Sequence, residues 1–275
     1  MRVGFMQGRL LPPVGNRIQC FPGDNWPNEL EMARHLDLDL IEWTIDYQTH
    51  HSNPILDRKS HQSIITELSI HQIGLESITC DFFMERPPWL SDGNYRLNQE
   101  LLNRLSTFAD YFGNLKLVIP LVDQGSLPNS NIFFEVVLPL LEKTNGNSLT
   151  FLFESDYEPK ILAALLSSLS GNRFGINLDI GNSASLGWNP ENEVRELIEF
   201  IQNVHVKDRL RNGHSVRLGE GSANLYSYLN ELKKFKYKGN FILQTARAQD
   251  GNHFGELEVN CSYFRTTLDK VGYDD

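Results

Sequence analysis

The sequence predicts an α/β protein of the (β/α)8 TIM-barrel class, occupying residues 1–275 as one domain, and three observations predict it. Eight short apolar runs rich in β-branched and aromatic residues recur along the chain, each followed by a loop and a segment of helical period. Eight such units spread over 275 residues match the length of a closed barrel, and no long linker divides them. Metal-capable residues stand at the ends of four consecutive runs, where a barrel gathers its strand ends at one mouth.

The runs predict strands over 2–6, 40–44, 75–79, 115–120, 149–153, 174–178, 203–206 and 241–244. Between and after them, helices are predicted over 27–36, 58–72, 95–112, 132–143, 158–169, 191–200, 223–235 and 256–270. The second helix shows the warrant, with Ile64, Ile65, Leu68 and Ile73 near a 3.6-residue spacing and polar residues between them. Asn189-Pro190 opens one helix and Asn145-Gly146 follows another. The Pro- and Gly-rich stretch 11–27 reads as a long loop after the first strand, of the kind that covers an active site.

Composition excludes several classes of function. With 35 Asp and Glu against 25 Lys and Arg, the formal charge of −10 opposes general affinity for nucleic acid or an anionic membrane, since both require basic residues opposite phosphate. Cys20, Cys80 and Cys261 are widely spaced without a CxxC pair, which argues against a disulfide framework or a Cys-based zinc site and suits a reducing cytoplasm. No stretch approaches the roughly 18 apolar residues of a membrane span. A cytoplasmic protein is expected; a homodimer is compatible with the fold, although no apolar stripe marks its interface.

The fifth strand ends at Glu154, the sixth at Asp179, the seventh at His205 before Lys207 and Asp208, and the eighth at Gln244. Taken singly, each carboxylate is as readily the first polar residue of a loop, and His205 a satisfied core histidine. Their placement at successive strand ends points to one shared site. Two carboxylates, an imidazole and an amide oxygen form a mixed set suited to one divalent ion, Mn, Mg, Co or Zn. Lys207 lies two residues beyond His205 on the same face, where it can polarise a carbonyl or hold an anion; pairing with Asp208 or Glu220 is the alternative. Arg209, Arg211, His214 and Arg217 make the seventh loop locally basic, suited to a substrate phosphate or carboxylate or to plain solvation. Arg9, Gln7, Asp81, His50 and His51 lie near the mouth. Trp26, Trp43, Trp89 and Trp188 offer apolar walls for a sugar ring unless they are core.

Met6-Gln7-Gly8-Arg9-Leu10, Ile41-Glu42-Trp43, Phe153-Glu154, Leu178-Asp179-Ile180-Gly181-Asn182, His205-Val206-Lys207-Asp208 and Leu218-Gly219-Glu220-Gly221 together resemble the motifs of the xylose-isomerase-like TIM-barrel superfamily. That group includes sugar isomerases and epimerases of the D-tagatose 3-epimerase type, and the likeness covers nearly the whole chain. The resemblance implies a metal held by Glu154, Asp179 and His205, with paired glutamates as acid/base groups. The strand-eight glutamate of the pattern is here Gln244, which can coordinate a cation but cannot abstract a proton. Glu154 is then the expected base, and Glu42 or Lys207 takes the second role. The histidine common three residues after the sixth-strand aspartate is here Asn182, a candidate substrate-binding residue with Arg9, Arg211, Arg217 and Trp43. The expected activity is isomerisation or epimerisation of a sugar, sugar phosphate or related hydroxy-carbonyl compound through an enediolate. Two alternatives stand beside it: dehydration of a keto-polyol on the same metal site, and a non-catalytic sugar-binding barrel in which Gln244 marks the lost acid/base pair. The apurinic-site endonuclease branch needs more metal ligands and a basic DNA-binding surface, which this acidic chain lacks.

Overall fold

In the computed structural model, which describes residues 1–15 and 17–273, eight parallel strands close into a barrel. They are β1 (Arg2–Met6), β2 (Leu40–Ile45), β3 (Gly74–Cys80), β4 (Leu115–Leu121), β5 (Leu149–Ser155), β6 (Phe174–Asp179), β7 (Ile201–Val206) and β8 (Asn240–Leu243). Their order around the barrel follows the chain, and β1 pairs with both β2 and β8. The strands are near-continuous apolar runs because one face fills the barrel and the other packs against helices; in β5, Phe151, Leu152 and Phe153 are all fully buried.

Each expected helix is present, with ends displaced by a few residues, except where proline intervenes. The segment expected as one helix over 132–143 is divided into Ser130–Ile132, a π-helical stretch Phe133–Val137, and Leu138–Glu142. Pro139 has no N–H to offer the preceding turn and its ring crowds the carbonyl four residues back, so the turn before it widens. Among the described residues, short elements that were not expected include the helices Asp81–Glu85 and Ile180–Leu186, a two-residue antiparallel ribbon joining Asp208–Arg209 to Ser215–Val216, and single 3-10 turns such as Gly23–Asn25 and His50–Ser52. Each is too brief for a periodic pattern to register.

The stretch expected as a loop over 11–27 lies across the mouth; its residue 16 is outside the described residues. Gly8 begins the turn at φ +86°, where a Cβ would sit 2.4 Å from the Cys20 carbonyl oxygen, so only glycine fits. The buried Glu29 carboxylate accepts the N–H groups of Gly8 at 2.9 Å and Leu10 at 3.1 Å, tying this turn to the helix Trp26–His35. Arg247 donates to the carbonyls of Gly8, Leu11 and Ile18. Arg17 pairs with Asp46 at 2.7 Å and with Glu85, at the ends of β2 and of the helix after β3. Among the described residues, no helix is long and apolar enough to cross a membrane.

Candidate metal and substrate site

Strand alternation places Glu154, Asp179 and His205 side by side at the ends of β5, β6 and β7, and all three are buried. Their ligand atoms lie within 4.8 Å of one another. His205 turns Nδ1 towards the carboxylates, 3.2 Å from Glu154 Oε2 and 3.9 Å from Asp179 Oδ2. Its Nε2 faces away, 2.6 Å from Glu42 Oε1. Asp179 is also the cap of the helix Ile180–Leu186, with Oδ1 accepting the Asn182 N–H at 2.8 Å, which leaves Oδ2 for the site.

A second tier of polar residues holds these groups from below. Asn177 Nδ2 donates to Glu154 Oε2 at 2.8 Å and lies 2.9 Å from His205 Nδ1. Asn203 Nδ2 donates to Glu42 Oε2 and to Asn177 Oδ1, each at 2.9 Å, and the Ser77 hydroxyl donates to Glu42 Oε2 at 2.5 Å. Glu42 is fully buried in this tier and does not line the cavity, so its geometry is that of a partner to His205 rather than of a group facing substrate. The sequence carries a signal for Asn177 and Asn203: each stands two residues before a strand-end ligand, on the same face of its strand.

Burial works against a charged imidazole at His205, but the Glu42 and Glu154 carboxylates outweigh it and push the group up to about 10. The same carboxylate field that favours a proton on the imidazole would favour a divalent cation, which would displace that proton on binding. Two carboxylates and a histidine anchored from behind by a carboxylate therefore fit a divalent ion. The Gln244 amide oxygen points into the same region and accepts from Lys207 Nζ at 3.3 Å.

Lys207 reaches the centre of the mouth, with Nζ 3.2 Å from Asp179 Oδ2 and 3.3 Å from Asn182 Oδ1. It therefore pairs with neither Asp208 nor Glu220. Gly181 makes room for it, since a Cβ there would lie 2.6 Å from Lys207 Cγ. Asp208 instead accepts the N–H groups of Gly219, Gly221 and Ala223, each at 2.9 Å, and so shapes the loop after β7.

Above the triad is a cavity of about 270 Å³ whose lining includes Arg9, Gln19, Asp81, Glu154, Asn182, Lys207, Arg209, His214 and Gln244. Arg9 is buried, holds Gln19 at 2.9 Å, and keeps an Nε with no hydrogen-bond partner among the described residues. Arg209 donates to Asn182 Oδ1 at 2.7 Å, and Asn182 in turn donates to Glu154 Oε1 at 2.7 Å. Arg209 and His214 are the two members of the basic seventh loop that line this cavity, whereas Gln19 carries no signal in the sequence, because a loop side chain leaves no periodic pattern. Three expectations are corrected. Trp43 is fully buried, packed against Phe21 and Trp26 with its indole N–H on Asn53, outside the cavity. Arg211 is exposed beside Gly187 and Trp188, away from the triad. Arg217 is exposed and does not line the cavity, its guanidinium being paired with Glu256, 2.6 Å away on the helix His253–Val271.

Fold and site together define a (β/α)8 barrel with a buried carboxylate–histidine cluster at its mouth, and its fold is similar to that of solved xylose isomerase-like barrels and sugar epimerases. The crystal structure of a xylose isomerase domain protein from Planctomyces limnophilus superposes with a TM-score of 0.73 at 18% identity over 99% of both chains. An L-ribulose 3-epimerase matches with a TM-score of 0.74 at 12% identity over 99% of this chain and 96% of that one. A xylose isomerase-like TIM barrel protein from Mycobacterium smegmatis, in complex with magnesium, matches with a TM-score of 0.65 at 17% identity over 98% of this chain and 97% of that one. No family model matches the chain. An uncharacterised protein of Methanocaldococcus jannaschii is 26% identical over 121 residues, which span 41% of this chain and 39% of that protein.

Proposed function

We propose that the chain is a divalent-metal-dependent isomerase or epimerase of a small sugar, sugar phosphate or related hydroxy-carbonyl compound. The observation that carries this reading is the Glu154–Asp179–His205 cluster beneath a polar cavity, with Glu42 orienting the imidazole. The sugar-epimerase and magnesium-bound structures that share the fold support it.

Glu154, Asp179 and His205 would hold the ion, with Gln244 offering an amide oxygen. A bound divalent ion supplies Lewis acidity, stabilising negative charge as it develops on substrate oxygens. Glu154 faces the cavity with its two oxygens held by the side-chain N–H groups of Asn182 and Asn177, which fixes the carboxylate in place. From that position it removes the proton from the carbon next to the substrate carbonyl, and the C–H electron pair moves into the enediolate. Lys207 places an ammonium where it can donate to a substrate oxygen. The unpartnered Arg9 Nε–H offers a second donor, and a buried donor left empty costs about 1–3 kcal/mol that a substrate oxygen recovers.

Carbon–hydrogen exchange tests the reading. Metal-loaded wild type and Glu154→Gln are incubated in D2O with pooled ketoses, aldoses and their phosphates, and deuterium uptake is followed by mass spectrometry. Expected is metal-dependent uptake by wild type and a loss of at least about 100-fold in Glu154→Gln. Undiminished exchange by metal-bound Glu154→Gln would remove Glu154 from the role. Sugar binding without exchange by wild type would instead favour a binding barrel.

A further inference from the structure

Gln244 leaves the proposed reaction without a second proton-transfer group on β8, and Glu42 is shut away beneath His205. The cavity supplies a different carboxyl. Asp81 follows the last residue of β3, is about 9% exposed, and lines the same cavity as Glu154, Lys207 and Gln244. It is joined to Gln244 through one side chain: Gln19 Oε1 accepts from Gln244 Nε2 at 2.8 Å, and Gln19 Nε2 donates to Asp81 Oδ2 at 2.8 Å. The carboxyl missing from β8 is thus replaced by one reached from β3 across a glutamine bridge.

Resting on the isomerase or epimerase reading, we propose that Asp81 is a catalytic acid/base residue, returning to the substrate carbon the proton equivalent that Glu154 removes. Its place in the barrel is two strands from Glu154, with β4 between, so the two carboxyls approach the mouth from different directions. In the forward turnover the C–H bond breaks towards Glu154 and its electron pair enters the enediolate. The Asp81 O–H bond then breaks, its proton forms the new C–H bond, and the enediolate electrons return to that carbon. Glu154 ends protonated and Asp81 ionised, and exchange with water resets both. Burial, reinforced by Glu85, Glu154 and Asp46, pushes Asp81 up to about 7, so a protonated form is available near neutral pH while the Glu154 carboxylate acts as base.

The experiment compares wild type, Asp81→Asn and Asp81→Asn/Gln244→Glu, all metal-loaded, with the same sugar pool in D2O. Substrate deuteration is read by mass spectrometry and the stereochemistry of products by chromatography. Asp81→Asn should still wash deuterium into recovered substrate, which also shows that it is folded, while product formation falls by about 100-fold or more. Adding Gln244→Glu should restore part of that product formation. Product at the wild-type rate from Asp81→Asn overturns the proposal and leaves the isomerase reading intact. Loss of substrate deuteration together with product also overturns it, because Asp81 would then serve abstraction or packing. No exchange and no product from wild type removes the isomerase reading and this proposal with it.

Discussion

At the scale of single residues, the site is a set of charges whose partners decide their use. Glu42 is legible in the sequence as an acid inside the apolar second strand, but only the fold shows that its carboxylate is spent on His205 Nε2, Ser77 and Asn203. The expected outcome for Glu42→Gln is a drop of about 10- to 100-fold in divalent-ion affinity, measured by chelator competition, as for partners that orient metal-binding histidines elsewhere. An unchanged affinity would show that the imidazole orients itself. Lys207 works in the opposite direction: its ammonium lies 3.2 Å from Asp179 Oδ2, so it competes for a carboxylate that the ion needs. Lys207→Met should therefore bind the ion more tightly, by roughly tenfold for a removed partly screened like charge, and turn over more slowly. Titration calorimetry beside the exchange assay separates the two effects, and weaker ion binding by this variant would contradict the assignment.

At the scale of elements, strand alternation builds the site in two tiers, with Asn177 below Asp179 on β6 and Asn203 below His205 on β7. Both tiers follow the period of two, but the lower one is less legible in the sequence, because an asparagine inside an apolar run carries no charge to mark it. Loops leave no such period. The sequence presents the loop after β7 as a single basic cluster, yet Arg209 and His214 line the cavity while Arg211 and Arg217 lie outside it. Asp208 is the residue that shapes it, accepting three backbone N–H groups. Asp208→Ala should cost about 2–4 kcal/mol, since loop donors lose their acceptor and only partly regain water. For a chain of this size that is a fall in Tm of roughly 5–15 °C. A melt within 1–2 °C of wild type would show that the glycines alone set the loop.

Across the whole molecule, three buried carboxyls bear on the pH dependence of stability. Burial pushes Glu29, Asp81 and Glu193 each up to about 7. In the unfolded chain they ionise near 4.5, 3.8 and 4.5, so between about 4 and 7 the fold holds protons that the unfolded chain has released. The stability they contribute is complete below that window and is lost as pH rises through about 7, at up to about 1.4 kcal/mol per pH unit for each group. Metal-free protein should melt at a higher temperature near pH 5.5 than near pH 8. Glu193→Gln, which keeps one oxygen to accept from one of the Ser183 and Tyr228 hydroxyls and an NH2 to donate to the other, should flatten the slope. A slope unchanged in Glu193→Gln would show that this carboxyl is ionised throughout. What the sequence determined by itself was the repeated strand and helix pattern, hence the barrel, and the strand-end residues Glu154, Asp179 and His205, because backbone periodicity fixes which side chains reach the mouth. The tertiary structure alone decided the partner of Glu42, the burial of Trp43 and the bridge of Gln19 to Asp81, because these depend on which distant segments pack together and no local period records that.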